Sequence, residues 1–390
     1  MQLWRGGFLL LPIGAALWAA GCSDDDPIPA APDDDAGTDA PVVVPDAGGD
    51  VVTDPCAAQI DADGLAKVLS CSGLYADIGA KTLAADVQAY KPALEFWSDA
   101  AEKARFLHLP ADAKIDTSDM NEWVFPNGTK VWKEFKLGGK RIETRIFYKV
   151  RDDWQQTAYR WNDAETEATR IPAGETFTRT DDAGAGVDAG VYEIPSQGAC
   201  LDCHTGRKDK LLGVDAVSLG LPGATGVTLA KLVADKKLTV DPPKTELVLP
   251  AATPANGGDT AAPALGWLHA NCGACHNANP GAGAFQTTAR LMIKATELLP
   301  VDGGPVPIEQ LDVYATTVCK DAFRTESGGD VYKLVRSGEP ARSLVSVLSG
   351  NRTDPPDTNQ MPPLATRTVD RAGHELLNDW IAALTPACAP

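Results

Sequence analysis

At 390 residues with 44% apolar side chains, the chain is long enough for two or three domains and at least two cores, which excludes wholesale disorder. Its formal charge of -18, from 53 acidic against 35 basic residues, argues against a nucleic-acid partner, because polyphosphate binding needs a basic stripe and none is present.

The chain opens with Arg5 and the apolar run FLLLPIGAALWAA. That run is too short to span a bilayer, and residues 1–21 read as a cleaved secretory signal. The leader ends in AAGC and resembles a bacterial lipobox. The resemblance implies a lipid on Cys22, although Ala19 stands where that pattern prefers a larger aliphatic residue. Ser23 after Cys22 points, by resemblance to lipoprotein sorting, to the outer membrane. The expected location is thus the cell envelope, anchored by lipid and facing the periplasm or the surface. No later apolar run is long enough for a membrane helix. Residues 22–55 form a tether: positions 23–55 hold ten Asp and no Lys or Arg, leaving only -8 for the remainder of the chain. Such a Pro-, Gly- and Asp-rich run cannot offset its ordering entropy by burial, and as flexible coil it reaches roughly 30 Å.

Residues 56–198 read as a β-rich domain. TKVWKEFKL and RIETRIFYKV flank Gly138 and Gly139, a hairpin signal, with Ile142, Thr144, Ile146, Tyr148 and Val150 alternating on one face. Short strands are expected at TAYRWN, TFTRT and VYEI, separated by loops such as DDAGAGVDAG, giving an antiparallel sheet or small sandwich. Trp97, Trp123, Trp132, Trp154 and Trp161 crowd this region, either as packed core or as a carbohydrate-binding stripe.

The segment 199–255 begins in GACLDCHTG, which sets Cys200, Cys203 and His204 together; NCGACHN repeats the pattern at Cys272, Cys275 and His276. Two thiols three positions apart on a helical turn can each add across one vinyl group of the same porphyrin, and the histidine that follows then lies under the iron. Composition predicts about 0.003 such motifs by chance, so two are not accidental. Paired cysteines also build zinc knuckles and redox dithiols. The histidine directly after each pair and the export signal favour two covalently bound haem c groups, with His204 and His276 as iron ligands. Residues 205–268 contain neither His nor Met. The candidates for the sixth ligand of the first iron are then His108, Met120, His269, Met292 and His374; otherwise the position is open or uses a weaker donor.

Residues 256–390 resemble a small class I-type cytochrome c domain. APALGWLHANCGACHN reads as a helix entering the second motif, with Ala264 and Leu268 on its packing face. HELLNDWIAAL places Leu376, Leu377, Trp380, Ile381 and Leu384 on one stripe of a helix expected to cross the first. ARSLVSVLS is a further helix, preceded by Pro340 and closed by Gly350. In DTNQMPPLAT, Pro362 and Pro363 stiffen the chain after Met361, as in the distal methionine loop of those cytochromes, making Met361 the expected second axial ligand. The 85 residues from His276 to Met361 imply an insertion near 285–335. Of the nine cysteines, Cys56, Cys71, Cys319 and Cys388 remain, an even set for an oxidising compartment; the favoured pairs are Cys56 with Cys71 and Cys319 with Cys388.

Read together, SGLYADI, FWSDAAEKARFLHLP, WVFPNGTKVWKEF, RIETR, YRWN, IPSQGACLDCH, LHANCGACHN and MPPL resemble a group of exported bacterial di-haem c-type cytochromes over roughly residues 70–390. The resemblance implies covalent haem at both motifs and single-electron transfer between redox partner proteins. The expected fold class is α+β: a β-rich N-terminal domain followed by a mainly α-helical cytochrome c domain. Two alternatives are a peroxidase-like enzyme with an open first haem and a Trp-rich binding module with accessory haems.

Overall fold

The computed structural model describes residues 54–179, 190–299, 306–325, 331–353, 358–364 and 366–389. The leader, Cys22, almost all of the tether and most of the DDAGAGVDAG loop lie outside them. Residues Thr53–Pro390 form one compact unit, so the segments read as 56–198, 199–255 and 256–390 pack into a single body.

Ahead of the first motif run β1 (Tyr75–Asp77), β2 (Thr82–Leu83), β3 (Val87–Lys91), β4 (Glu102–His108), β5 (Lys130–Leu137), β6 (Lys140–Val150), β7 (Asp153–Trp161), β8 (Ala168–Arg170), β9 (Glu175–Thr178) and β10 (Val191–Ile194). With β11 (Thr225–Gly226), strands β3 to β8 form a seven-stranded sheet in the order β11-β3-β4-β5-β6-β7-β8, antiparallel at every pairing. The chain is thus α+β, built on a large antiparallel sheet. Strands β1–β2 and β9–β10 are separate ribbons.

Local chemistry explains the central hairpins. Leu137 pairs with Lys140 across Gly138 and Gly139, both at positive φ, the two-residue turn whose twist suits a hairpin. The β6–β7 turn has the same form but no glycine: Arg151 and Asp152 take φ of 52° and 62°. Asn127 and Asp152 exchange two hydrogen bonds of 2.8 Å that hold it. Strand β7 therefore starts at Asp153, four residues before the TAYRWN segment.

Both faces of the sheet are covered. On one, Trp132, Ile146, Tyr159 and Trp161 pack against Leu65, Leu69 and Leu74. On the other, Val131, Phe147 and Trp154 join the main core with Cys200, Leu265, Leu268 and Trp380. This second layer buries side chains that alternate as a polar face in β6, including Glu143 and Lys149. Trp123, Trp132, Trp154 and Trp161 are all buried, and the half-buried Trp97 donates its indole N–H to the Thr368 carbonyl. Of the two readings of these tryptophans, core packing is the one the burial bears out, and no exposed platform for a carbohydrate is present among them.

Beyond β10 come α1 (Leu201–His204), α2 (Ala216–Gly220), α3 (Leu229–Ala234), α4 (Ala261–Cys272), α5 (Ala295–Leu298), α6 (Asp312–Ala315), the ribbon β12 (Asp321–Thr325) and β13 (Val331–Lys333), α7 (Leu344–Ser349) and α8 (Arg371–Ala383). Helices α4 and α8 are in contact, and the Trp267 indole N–H donates to Asp370, which also caps α8 through the Gly373 N–H. A Cβ at Gly373 would run into the Trp267 ring, so the crossing needs glycine there. On α8, Leu377, Trp380 and Ile381 are buried and Leu376 is half-buried. Cys56 is joined to Cys71 and Cys319 to Cys388, with S–S distances of 1.98 and 2.08 Å. Among the described residues no helix is long and apolar enough to cross a membrane.

Candidate haem centre

The first motif lies where β10 ends and the chain drops onto the charged face of the large sheet. Helix α1 is a single turn. It carries the His204 ring onto Phe147 of β6, stacked at 4.0 Å and 17°. His204 Nδ1 lies 2.6 Å from the Lys210 carbonyl. A carbonyl can only accept, so Nδ1 bears the proton and Nε2 keeps its lone pair. The loop supplying that carbonyl is stapled to the sheet: Lys210 Nζ is 2.6 Å from Asp153, Lys149 Nζ 2.6 Å from Asp209, and Arg207 bridges Glu122 and Asp215 at 3.1 and 3.4 Å. Burial, opposed by the Lys210 carbonyl and reinforced by Lys133 and Arg145, brings the His204 pKa down to about 3. The imidazole is neutral at pH 7 and ready to ligate a metal.

The second motif closes α4. His276 Nδ1 lies 3.3 Å from Thr287 Oγ1, whose own hydrogen goes to the Ala284 carbonyl at 2.8 Å. Thr287 therefore accepts from Nδ1–H, leaving His276 Nε2 free as in the first motif. Burial and Arg290 bring its pKa to about 4. Cys200, Cys203, Cys272 and Cys275 are all unbridged thiols. Burial raises Cys200 and pushes Cys272 up to about 12. Cys203 and Cys275 influence each other across the two motifs, which holds the Cys203 thiol up and the Cys275 thiol down.

A recess of about 180 Å³, open to solvent, lies beside Cys200, Cys203 and His204. Its sheet wall carries Tyr90, Arg105, Val131, Lys133, Arg145 and Phe147; opposite stand His269, Ala270, Gly273, Ala274 and Met292. The residues fit a covalently held haem: two unbridged thiols, a neutral histidine with a free Nε2, and a largely apolar recess.

Of the donors considered for the first iron, His269 and Met292 line this cavity. The Ile293 N–H donates to His269 Nδ1 at 2.9 Å, so the proton of that buried, neutral ring is on Nε2 and no lone pair is offered there. The half-buried Met292 carries no such restriction. Met120 packs on the main core. His108, on β4, faces Asp86 at 3.0 Å, and both nitrogens of His374 are taken, by Ser349 and Asn378 at 3.1 Å each. Met361 sits in a satellite cluster with Tyr332, Leu334, Leu344 and Leu348, and Leu334 also packs on the core that holds Cys272. Its loop is knitted by the buried Gln360, which accepts from the Thr353 N–H and donates to the Pro362 and Thr366 carbonyls. Among the described residues no three His, Cys, Asp or Glu side chains gather into a group that could hold a metal ion.

Several contributors carry no sequence signal. Lys210 acts through its backbone, and Phe147 reads as one more strand aromatic. Asn277 is visible only as the residue after the second motif, yet its amide reaches the carbonyls of Gly206, Gly273 and Ala274 at 2.8–3.0 Å. Compared with models of known protein families, with curated proteins and with solved structures, the chain matches none.

Proposed function

We propose that this chain is a lipid-anchored di-haem c-type cytochrome that passes single electrons between redox partners in the cell envelope. The observation that carries the reading is the donor set at each motif: two unbridged thiols followed by a neutral histidine whose Nδ1–H is already committed, to Lys210 or to Thr287, leaving Nε2 for iron. That arrangement orients the ring and raises its basicity as a ligand. A bound haem supplies a one-electron iron couple in each site. The chain's own groups bind the porphyrin edge through Cys200 and Cys203 or Cys272 and Cys275, fix the rings of His204 and His276, and exclude water from the first site with Phe147, Val131 and Tyr90.

In this reading residues 256–390 form the cytochrome c-like part, in which α4 and α8 cross and Met361 serves as second axial ligand of the haem on His276. Cys22 carries the anchoring lipid, and the acidic run sets the folded body off from the membrane. The test is expression with the cytochrome c maturation machinery, haem counting by pyridine haemochrome, and low-temperature EPR of the oxidised protein. Two haems per chain with low-spin ferric signals are expected, and a chain that matures without haem refutes the proposal.

A second reading is favoured by one observation. Because the His269 Nε2 carries a proton, the cavity offers no second imidazole lone pair, so an open first haem performing peroxide chemistry is the alternative. It predicts one high-spin ferric signal beside one low-spin signal.

A further inference from the structure

A row of hydrogen-bond donors crosses the large sheet beside the first motif. In register, Tyr90 of β3 stands opposite Arg105 of β4, Arg105 opposite Lys133 of β5, and Lys133 opposite Arg145 of β6. Residues directly opposite in an antiparallel pair share a face with their Cβ atoms about 5 Å apart, and like charges so placed repel. All four side chains line the recess beside Cys200, Cys203 and His204. Phe147, two positions beyond Arg145 on the same face, carries the stacked His204 ring.

The charges along this row are unevenly matched. Arg145 gives Nε and Nη2 to Glu143 at 2.8 and 2.6 Å, and Arg105 gives Nη1 to Glu95 at 3.2 Å; each guanidinium has further N–H donors to offer. Lys133, between them, has no carboxylate: its ammonium lies over Phe96 and Phe135, with no hydrogen-bond or ion-pair partner among the described residues. Tyr90 is 6% exposed, and its hydroxyl likewise has no partner among them. The carboxylates that line the recess are committed elsewhere. Asp99 accepts from the backbone N–H groups of Arg367 and Thr368, Glu193 from the Arg367 guanidinium, and Asp215 from Arg207 and the Ser218 N–H. A buried ammonium without a counter-charge is costly, and an anion drawn into the row removes that cost.

We infer that the row Tyr90, Arg105, Lys133 and Arg145 is an oxyanion seat, which binds a small anion carrying two or more acceptor oxygens, a carboxylate or an inorganic oxyanion. Lys133 supplies the charge, while the two guanidinium groups and the Tyr90 hydroxyl supply directed hydrogen bonds, the charge-assisted kind being the stronger. Two sources present that chemistry: a propionate of a haem bonded to Cys200 and Cys203, and a free oxyanion from solvent. Only the first source rests on the cytochrome reading above, because the seat itself is built from the sheet alone.

The test uses the full chain matured with haem. Sodium sulfate is titrated at an ionic strength held constant with sodium chloride while the thermal midpoint is followed, and resonance Raman spectra read the propionate bending mode. If a free oxyanion fills the seat, the midpoint rises saturably with sulfate. The apparent dissociation constant then increases about tenfold or more in Lys133→Met, the loss of one charge-assisted bond. If propionate fills it, sulfate acts no differently from chloride and the propionate mode shifts in Lys133→Met. Tyr90→Phe, which keeps the buried ring, should move the same readout in the same direction by a smaller amount, and it decides the matter if Lys133→Met does not fold. Neither a saturable sulfate effect nor a propionate shift overturns the seat and leaves the cytochrome reading standing. A chain that matures without haem overturns that reading, and the sulfate titration of the haem-free chain then decides the seat alone.

Discussion

Replacing Lys149 by Met tests how the first histidine is held. Lys149 is 3% exposed and its Nζ lies 2.6 Å from Asp209 Oδ1, while Asp209 Oδ2 accepts the Phe125 N–H at 2.6 Å. The next residue, Lys210, presents the carbonyl that takes the His204 Nδ1–H. Removing one member of a buried pair costs about 3–5 kcal/mol, because the partner charge is left uncompensated. The surviving Phe125 N–H, a charge-assisted bond of about 1.5–3 kcal/mol, places this case near 3. A domain stable by about 5–15 kcal/mol remains folded after that loss. Adding Asp209→Asn should recover part of it, since a neutral amide can still accept from Phe125 without leaving a buried charge. Urea unfolding followed by far-UV circular dichroism measures both, as shifts in midpoint at constant slope. Haem content per chain should fall with Lys149→Met if the loop loosens. A variant within about 0.5 kcal/mol of the parent, well below the cost of a lost buried partner, would refute the argument by showing that Asp209 is rehydrated and the loop is not stapled there.

The two disulfides close loops of 15 and 69 residues, so the chain-entropy relation gives about 3 kcal/mol for Cys56–Cys71 and about 4.4 for Cys319–Cys388; urea midpoints of the paired Cys→Ala variants should fall in that order. Gly206→Ala, whose Cβ meets the Ala274 carbonyl, should cost at least about 1–3 kcal/mol. Gly198→Ala, with open space at the same motif, should lie within about 0.5 kcal/mol of the parent, and equal midpoints for the two would contradict the close approach. His269 is buried and neutral, its pKa brought to about 4 by burial against the opposing pull of Asp215. Its folded pKa lies below the unfolded value near 6.5, so its share of stability is complete above pH 6.5 and is lost as pH falls toward 4. Between pH 7 and 5 that share is about 2 kcal/mol. His269→Gln, which keeps an acceptor for the Ile293 N–H, should flatten the pH dependence of the urea midpoint by that amount, and an unchanged slope would show that the ring is charged or solvated.

Where a feature is local, the chain announces it. Both motifs, the Gly138–Gly139 hairpin and the α8 stripe around Leu377, Trp380 and Ile381 depend on neighbours within a few residues. The turn at Arg151–Asp152 does not, since its left-handed backbone is held by Asn127, which lies 25 residues away from Asp152. Strands β3 and β4 were equally silent. VQAYK and EKARFLH carry charges that break an apolar alternation, and only the fold shows Arg105 paired with Glu95 at 3.2 Å. The charged positions of β6 look like a solvent face because the layer that buries them arrives about 50 residues later. For the same reason the donor set at each motif was legible but its surroundings were not: Lys210 acts through a carbonyl, and the Asn277 amide reaches the Gly206 carbonyl from 71 positions away.

The wall that faces the first motif shows why a sheet serves this centre. Arg145 meets Glu143 at 2.6 Å, Arg105 meets Glu95, and Arg207 meets Glu122 and Asp215. Each guanidinium near the cavity is thus neutralised by a carboxylate held on the same rigid frame. Unpaired charges there would draw in water, and water reorganises whenever a neighbouring group changes charge. Paired ions fixed on β4, β6 and the stapled loop respond far less, because their dipoles are set by hydrogen bonds rather than by solvent. The electron-carrier role proposed above would be favoured by such a frame, since little beyond the electron would have to move. Lys133 is the exception. Its ammonium lies over Phe96 and Phe135 at 5.4 and 5.0 Å, and burial with Arg105, Lys103 and Arg145 nearby holds its pKa well below the usual lysine range. The pocket thus disfavours the charged form of this lysine, in contrast to the three paired guanidinium groups.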